Sequence, residues 1–194
     1  SGLDPGTAPP LPGGGADRNM IPRIGYRLRQ TWQRMTGSLS RTDWEAVETT
    51  LNPQQVQLFR ALSHGDQIHS LRVFRTLQAM DVDEREILAA ALLHDVGKAA
   101  HKLRVWERGA VVILGKLLPE AVKAWGAGEP QGWRRPLVVA QQHPYWGAQL
   151  AEQAGSSPLT VWLIRHHDRS LSDVDAKPGW MGFLEKLQQA DNQN

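Results

Sequence analysis

From Ile87 the chain reads Ile-Leu-Ala-Ala-Ala-Leu-Leu with no polar interruption, then breaks into His94-Asp95-Val96-Gly97-Lys98. Ala90, Ala91 and His94 follow Ile87 at spacings of three, four and seven, the repeat of one helical face, so His94 continues a face that should be buried. Asp95 extends the adjoining face, behind Leu88, Ala91 and Leu92. Burying a neutral polar group without a partner costs roughly 2 to 7 kcal/mol, and a charge costs more. A metal ion held between such side chains would offset that cost.

The same period recurs along the chain. Thr42 with Glu45, and Asn52-Pro53 with Gln55, read as helix starts, the second opening a helix whose apolar face is Val56, Phe59 and Leu62. Ser63-His64-Gly65 breaks the pattern, Asp66 opens a helix to about Met80, and Asp81-Val82-Asp83 separates it from the His94 helix. A helical segment over 103–125 is expected to bend at Pro119, followed by a loop over 126–133. Pro136 begins a helix toward Gln142, His143-Pro144 marks a boundary, and further helices are expected over 145–154, 158–167 and 179–191. No stretch alternates in the manner of strands joined by hairpin turns, and no repeat appears, so the expected class is all-α.

Three more helices aim a polar side chain the way their apolar stripe points. Val73, Leu77 and Met80 follow His69; His166 follows Leu159, Trp162 and Leu163; Asp191 follows Trp180, Phe183, Leu184 and Leu187. Any one of these alone reads as a hydrogen-bonded core histidine or a solvated carboxylate, but together with His94 and Asp95 they imply a shared metal site. Imidazole and carboxylate without sulfur suit Fe or Mn, with Mg, Zn, Ni and Co also admissible. Five or six such donors exceed what one ion takes from protein while keeping open positions, so two divalent ions bridged by Asp95 are expected.

Composition narrows the rest. The 194 residues suit one domain with a sizeable core, and the absence of cysteine excludes disulfides and thiolate zinc sites. A net charge of +2 suits a small anionic substrate and is no strong nucleic-acid signal. Trp106 with Arg104 and Arg108, and Trp133 with Arg134 and Arg135, could stack on bases, although tryptophan at helical spacing also serves cores and interfaces. No apolar segment approaches the roughly 18 residues of a membrane span, and no signal-peptide pattern is present, so a cytoplasmic location is expected. Residues 1–20 are Pro- and Gly-rich and predict a flexible tail, with Met20 a candidate natural start. Basic helices are expected over 21–50. Among them, Ile21–Met35 interleaves Ile24, Leu28, Trp32 and Met35 with Arg23, Arg27, Arg29 and Arg34. Such a helix could pack on its own domain, meet a partner or nucleic acid, or lie on an anionic membrane. The main domain is then 51–194.

His69, His94-Asp95 and the distant Asp191 resemble, in order, the H…HD…D signature of the HD-domain superfamily, an all-helical fold of mainly metal-dependent phosphohydrolases. His143-Pro144 with Gly147 and Leu150, and Ile164-Arg165-His166-His167, are similar to blocks of the HDIG and HD-GYP branch, whose members hold two or three metals. The resemblance runs from about Asp66 to Asp191. It implies that His69, His94, Asp95 and Asp191 hold one ion, and that Asp95, His143 and His166 hold a second, with His167 an additional or alternative ligand. It also implies that Lys98 acts with Asp95 in catalysis by contacting a substrate phosphate, and that Arg72 makes a similar contact.

Two departures qualify the likeness. The Gly-Tyr-Pro motif of cyclic-di-GMP phosphodiesterases is absent after His167, and Gly65 stands where trinuclear members have Glu, so a third ion is not expected. Asp66 reads as a helix cap. The implied activity is hydrolysis of a phosphoester, of a nucleotide or cyclic dinucleotide, by metal-activated water, with His64 or His101 as candidate proton donors. A dinuclear-iron oxygenase on the same scaffold and a non-catalytic nucleotide-binding module are the alternatives. Substrate choice should lie in walls drawn from 99–140.

Overall fold

The computed structural model of the chain describes residues 38–101 and 103–194, so the tail expected over 1–20 and the basic helix expected over Ile21–Met35 lie outside the described residues. Among the described residues there are helices and turns and no strand, in agreement with an all-α class. The helices are α1 Arg41–Thr50, α2 Pro53–Ala61, α3 His64–Ala79, α4 Arg85–Leu93, α5 Val105–Leu117, α6 Pro119–Trp125, α7 Arg135–Gln153, α8 Pro158–His166 and α9 Trp180–Asn192. None is long and apolar enough to cross a membrane.

Helix α4 forms the centre. Every residue from Ile87 to Leu93 is buried, and a helix apolar around its whole circumference has to be surrounded by others. It packs chiefly against α3 and α8, and also against α1, α2 and α9. Ala89, Ala90 and Ala91 keep its girth small on the way to His94, while fully buried Leu92 and Leu93 contribute roughly 1.5 to 3 kcal/mol each. Val47, Phe59, Leu77, Leu163, Ile164 and Leu184 bring the neighbouring helices into the same core.

Local chemistry sets the helix ends. Asn52 and Gln55 form the expected reciprocal cap of α2 ahead of Pro53. The first helix starts two residues earlier than the Thr42–Glu45 pair suggests. The Ser40 hydroxyl accepts from the Asp43 amide, and the Asp43 carboxylate takes the Ser40 amide at 2.8 Å, while Glu45 pairs with Arg41 instead. Ser63-His64-Gly65 proves to be the start of α3 rather than a break, because the Ser63 hydroxyl caps it and binds Asp66. Helix α7 closes on Gly155 at φ 75°, where the Ser156 amide reaches back to the Ala151 carbonyl, a left-handed turn that suits glycine.

Two further boundaries differ from the sequence reading. The 103–125 segment is two helices, since Leu118 leaves helical geometry before Pro119. Conversely, α7 is a single helix that runs through Pro144. Proline deletes one amide donor, at a cost that tertiary packing can outweigh. Here α7 is clamped on one side by the 3-10 turn Val96–His101 and on another by α8.

Candidate metal centre

Each element delivers one or two donors to the same interior point. His69 projects from α3, His94 and Asp95 from the end of α4, His143 from the middle of α7, His167 from the end of α8 and Asp191 from α9. Ligand atoms of His69, His94 and Asp95 lie within 4.8 Å of one another, as do those of Asp95, His143 and His167. Asp95 belongs to both groups. Asp191 borders the first, its Oδ1 2.8 Å from His69 Nε2 and 3.7 Å from His94 Nε2.

Backbone carbonyls aim the imidazoles. His94 Nδ1 lies 2.9 Å from the Ala91 carbonyl and His167 Nδ1 2.8 Å from that of Ile164. Both acceptors sit in a last helical turn, where carbonyls run short of backbone partners. In the middle of α7 there is no helix end, and Pro144 supplies the equivalent. Lacking an N–H, it leaves the Ala140 carbonyl without its usual donor, and His143 Nδ1 takes that position at 2.8 Å. A carbonyl can only accept, so each Nδ1 carries the proton and each Nε2 presents a lone pair. His94 Nε2 and His143 Nε2 are buried and have no hydrogen-bond partner. Unsatisfied buried nitrogens are costly, and these two face a carboxylate among other imidazoles, so the donor set fits a cation. Replacing Pro144 with alanine should restore an amide that competes for the Ala140 carbonyl. The expected result is metal affinity weaker by about tenfold, with the metal-free melting temperature held or raised, checked by competition titration and calorimetry.

Electrostatics favour the same protonation pattern. Burial pushes the pKa of His94 below the ordinary histidine value. Burial, with His94 and His143 adjacent, takes His167 down to about 3. Burial alone would raise the Asp95 pKa, but the Lys98 ammonium, 2.6 Å from Oδ1, and the nearby His94 and His143 hold it well below the usual carboxylate range. Burial works against His69 as well, yet its hydrogen bond to Asp191 and the charge of Asp95 raise it overall, while Asp191 is lowered by the same pairing. At neutral pH His94 and His167 are therefore neutral imidazoles and Asp95 and Asp191 ionised carboxylates, while His69 holds its proton more tightly through Asp191.

A pH dependence follows. His94 and His167 have folded pKa values below 6.5, so the stability tied to their neutral form is complete above pH 6.5 and falls as pH drops toward about 3. Asp95 and Asp191, lowered from 3.8, lose their share only at more acidic pH, and His69, which is raised, contributes stability that is complete below 6.5 and fades as pH rises above it. Chelator-treated protein should show a urea midpoint that declines steadily from pH 6.5 to pH 5. A flat midpoint over that window would contradict this assignment of charges.

Of the two candidate imidazoles ending α8, the structure brings His167 to Asp95 and His143, whereas the expectation placed His166 there with His167 as an additional or alternative ligand. The His167 ring lies 5.0 Å from His94 and 5.2 Å from His143, centroid to centroid. His166 instead packs its ring 4.9 Å from Trp162 and lines a separate cleft with Tyr145, Arg165 and Arg169. The reason is angular. Leu163 and Ile164 are fully buried and define the inward direction, and position 167 follows them by four and three residues. Replacing His167 with alanine should lower bound metal by at least half. The same change at His166 should leave it unaltered, as read by elemental analysis of the two purified variants.

Lys98 lies on the turn after the centre, and Arg72 is half-buried on α3, three residues beyond His69. His64 is exposed at the start of α3, and His101 packs 5.1 Å from Trp146. Three contributors escaped the sequence reading as parts of the site. Asp168, next to His167, is exposed as a residue, but its carboxyl end is partly buried, which raises its pKa against the pull of His143 and Arg169. Gly97 and Gly147 let the 96–101 turn touch α7: a Cβ on Gly97 would stand 2.0 Å from the His143 carbonyl oxygen. The sequence signals for this contact were the glycine in His-Asp-Val-Gly-Lys and Gly147 in the block after His143-Pro144.

A helical core whose buried imidazoles and carboxylates could hold a metal ion defines a class of metal-binding domain. The chain belongs to the HD domain family, whose model matches residues 67–186. That family places it in a superfamily of the metal-dependent phosphohydrolase type whose domains bind divalent metals. No curated protein and no solved structure matches the chain.

Proposed function

We propose that this protein hydrolyses a phosphoester of a nucleotide or cyclic dinucleotide, using two divalent ions, Fe or Mn, in the manner of the HDIG branch without its Gly-Tyr-Pro motif. His69, His94, Asp95 and Asp191 would hold one ion, and Asp95, His143 and His167 the other. The observation that carries this reading is the pair of donor groups sharing Asp95, with two buried Nε2 atoms left without partners. Bound there, divalent cations would supply Lewis acidity, making water acidic enough to act near neutral pH and balancing charge on phosphoryl oxygens.

The chain's own groups supply the rest. Asp95 stays ionised, so it would serve as an anionic ligand and not as a proton donor. Lys98 reaches Asp95 and also borders a cavity of about 220 Å³ lined by Leu103, Val111, Val139, Ala140 and His143. A phosphate at that junction would meet the ammonium, with the organic part of the ester in the apolar cavity. Arg72, on the His69 helix, is assigned a second phosphate contact.

The test is a screen of mono-, cyclic di- and triphosphate nucleotides against protein loaded with Mn²⁺ or Fe²⁺, alongside its metal content. Turnover that a chelator abolishes and added metal restores is the expected result. Nucleotide binding without turnover under every metal would reassign the protein as a binding module, and oxygen consumption by the iron form would make it an oxygenase.

A further inference from the structure

Helix α5 is apolar on two sides. Its inner side places Val111 on the cavity beside the metal centre and buries Glu107. Its outer side carries Trp106, Ile113 and Leu117, spaced by seven and four residues and therefore aligned, at 65%, 59% and 71% exposure. Leu118 continues the stripe at the corner into α6, and Trp133 is also exposed, its ring 5.3 Å from Trp125 and under the Arg134 guanidinium. Single exposed hydrophobic residues are ordinary, but an aligned set on one short segment marks an interaction surface. Of the large apolar side chains most exposed among the described residues, all but Tyr145 fall between Trp106 and Trp133.

The charge on this segment says what covers it. Between Lys98 and Arg135 the sequence places eight of the chain's 22 Lys and Arg and only three of its 20 acidic residues. Glu107 is turned inward, its carboxylate 2.6 Å from the Arg104 amide and 3.1 Å from Arg135. Arg104, Lys116, Lys123 and Arg134 are exposed. Two copies facing each other across this surface would set like charges together. Stacked bases would use the tryptophans but not the aliphatic Ile113, Leu117 and Leu118. An apolar stripe of Trp, Ile and Leu bordered by Lys and Arg matches the boundary of an anionic bilayer, where apolar side chains enter the acyl region and cations stay among headgroups.

We infer that the outer face of α5, continued by Leu118 and Trp133, docks this protein onto an anionic membrane surface, lying on the bilayer and not crossing it. The Arg-rich amphipathic pattern of Ile21–Met35 has the same chemistry and could add to the attraction. This inference stands independently of the proposed hydrolysis.

The experiment is co-sedimentation of the full chain with vesicles of phosphatidylglycerol and phosphatidylcholine, against phosphatidylcholine alone, for the parent protein and the double variant Ile113→Ser, Leu117→Ser. Both residues are exposed, so the variant should keep its melting temperature and metal content. The parent should partition onto the anionic vesicles at least about tenfold more strongly than onto neutral ones, weakening as salt is raised. The variant should lose about tenfold or more of that partition. Parent protein that ignores both vesicles would overturn the inference. So would a variant that binds as well as the parent, which would locate any lipid contact elsewhere. A parent dimer that the variant converts to monomer with vesicle binding unchanged would make the face a self-association surface and equally end the proposal, as would loss of binding to single-stranded nucleic acid in place of lipid.

Discussion

Exchanging Asp95 for asparagine is expected to strip the centre of both metal ions and reduce turnover by about a thousandfold or more, with the helical fold intact. Asp95 is the one side chain shared by the two donor groups, and its carboxylate is the charge that would hold two cations near one another. Metal ions supply several kcal/mol of transition-state stabilisation, and each 1.4 kcal/mol is about tenfold in rate. Stability should not follow activity. In the metal-free state this carboxylate is buried among imidazoles and balanced mainly by Lys98. A neutral amide of the same shape removes a desolvated charge, and the half-exposed Lys98 can turn to solvent. The parent should gain stability on metal addition, about 2.7 kcal/mol at a hundredfold excess over the dissociation constant, and the variant should gain none. Elemental analysis, turnover and melting curves with and without chelator read all three effects. A variant that retains two ions would remove Asp95 from the bridging role.

Gly97→Ala is expected to be among the most damaging single-methyl additions available in this protein, costing roughly 3 kcal/mol or more and displacing the turn that carries Lys98. Gly97 is not among the residues with positive φ, so its own backbone would accept alanine. The obstacle is the neighbour: the new methyl would lie 2.0 Å from the His143 carbonyl oxygen and 2.8 Å from the Gly147 amide nitrogen. Both atoms belong to the backbone of α7, which no side-chain rotation can clear. The turn would have to lift away from α7, separating Asp95 from His143, now 3.4 Å apart between Oδ1 and Nε2. Gly109→Ala serves as the comparison, since its added methyl meets nothing within 4 Å. In mid-helix it should stabilise α5 by about 0.5 to 1 kcal/mol. Chemical denaturation of the two variants and their metal content check the contrast. Equal behaviour would show that the turn does not depend on this contact.

Much of the centre was legible because burial and helical period are written locally. An apolar run long enough to surround α4 had to end in the interior, so His94 and Asp95 were committed to a buried place before any neighbour was known. His69 and Asp191 could be proposed in the same way, each by the apolar residues that precede or follow it at helical spacing, whereas His143, expected at a helix boundary, entered only through the family resemblance. His166 and His167 could not be separated so simply. They are adjacent, about 100° apart around a helix end, and the choice depended on which of Trp162, Leu163 and Ile164 the rest of the fold buries most completely. Pro144 misled for a related reason. Proline disfavours a helix in isolation, but α7 is held from two sides, and the carbonyl it frees is used by His143.

The sequence alone determined the all-helical class, the buried path of α4 and the absence of sulfur from the donor set, because periodicity and residue chemistry act over a turn or two of chain. Tertiary structure alone decided that His167, and not His166, reaches Asp95 and His143, and that Gly97 must be glycine. Each of those depends on distances between residues far apart in the chain, and such distances exist only once the helices have packed.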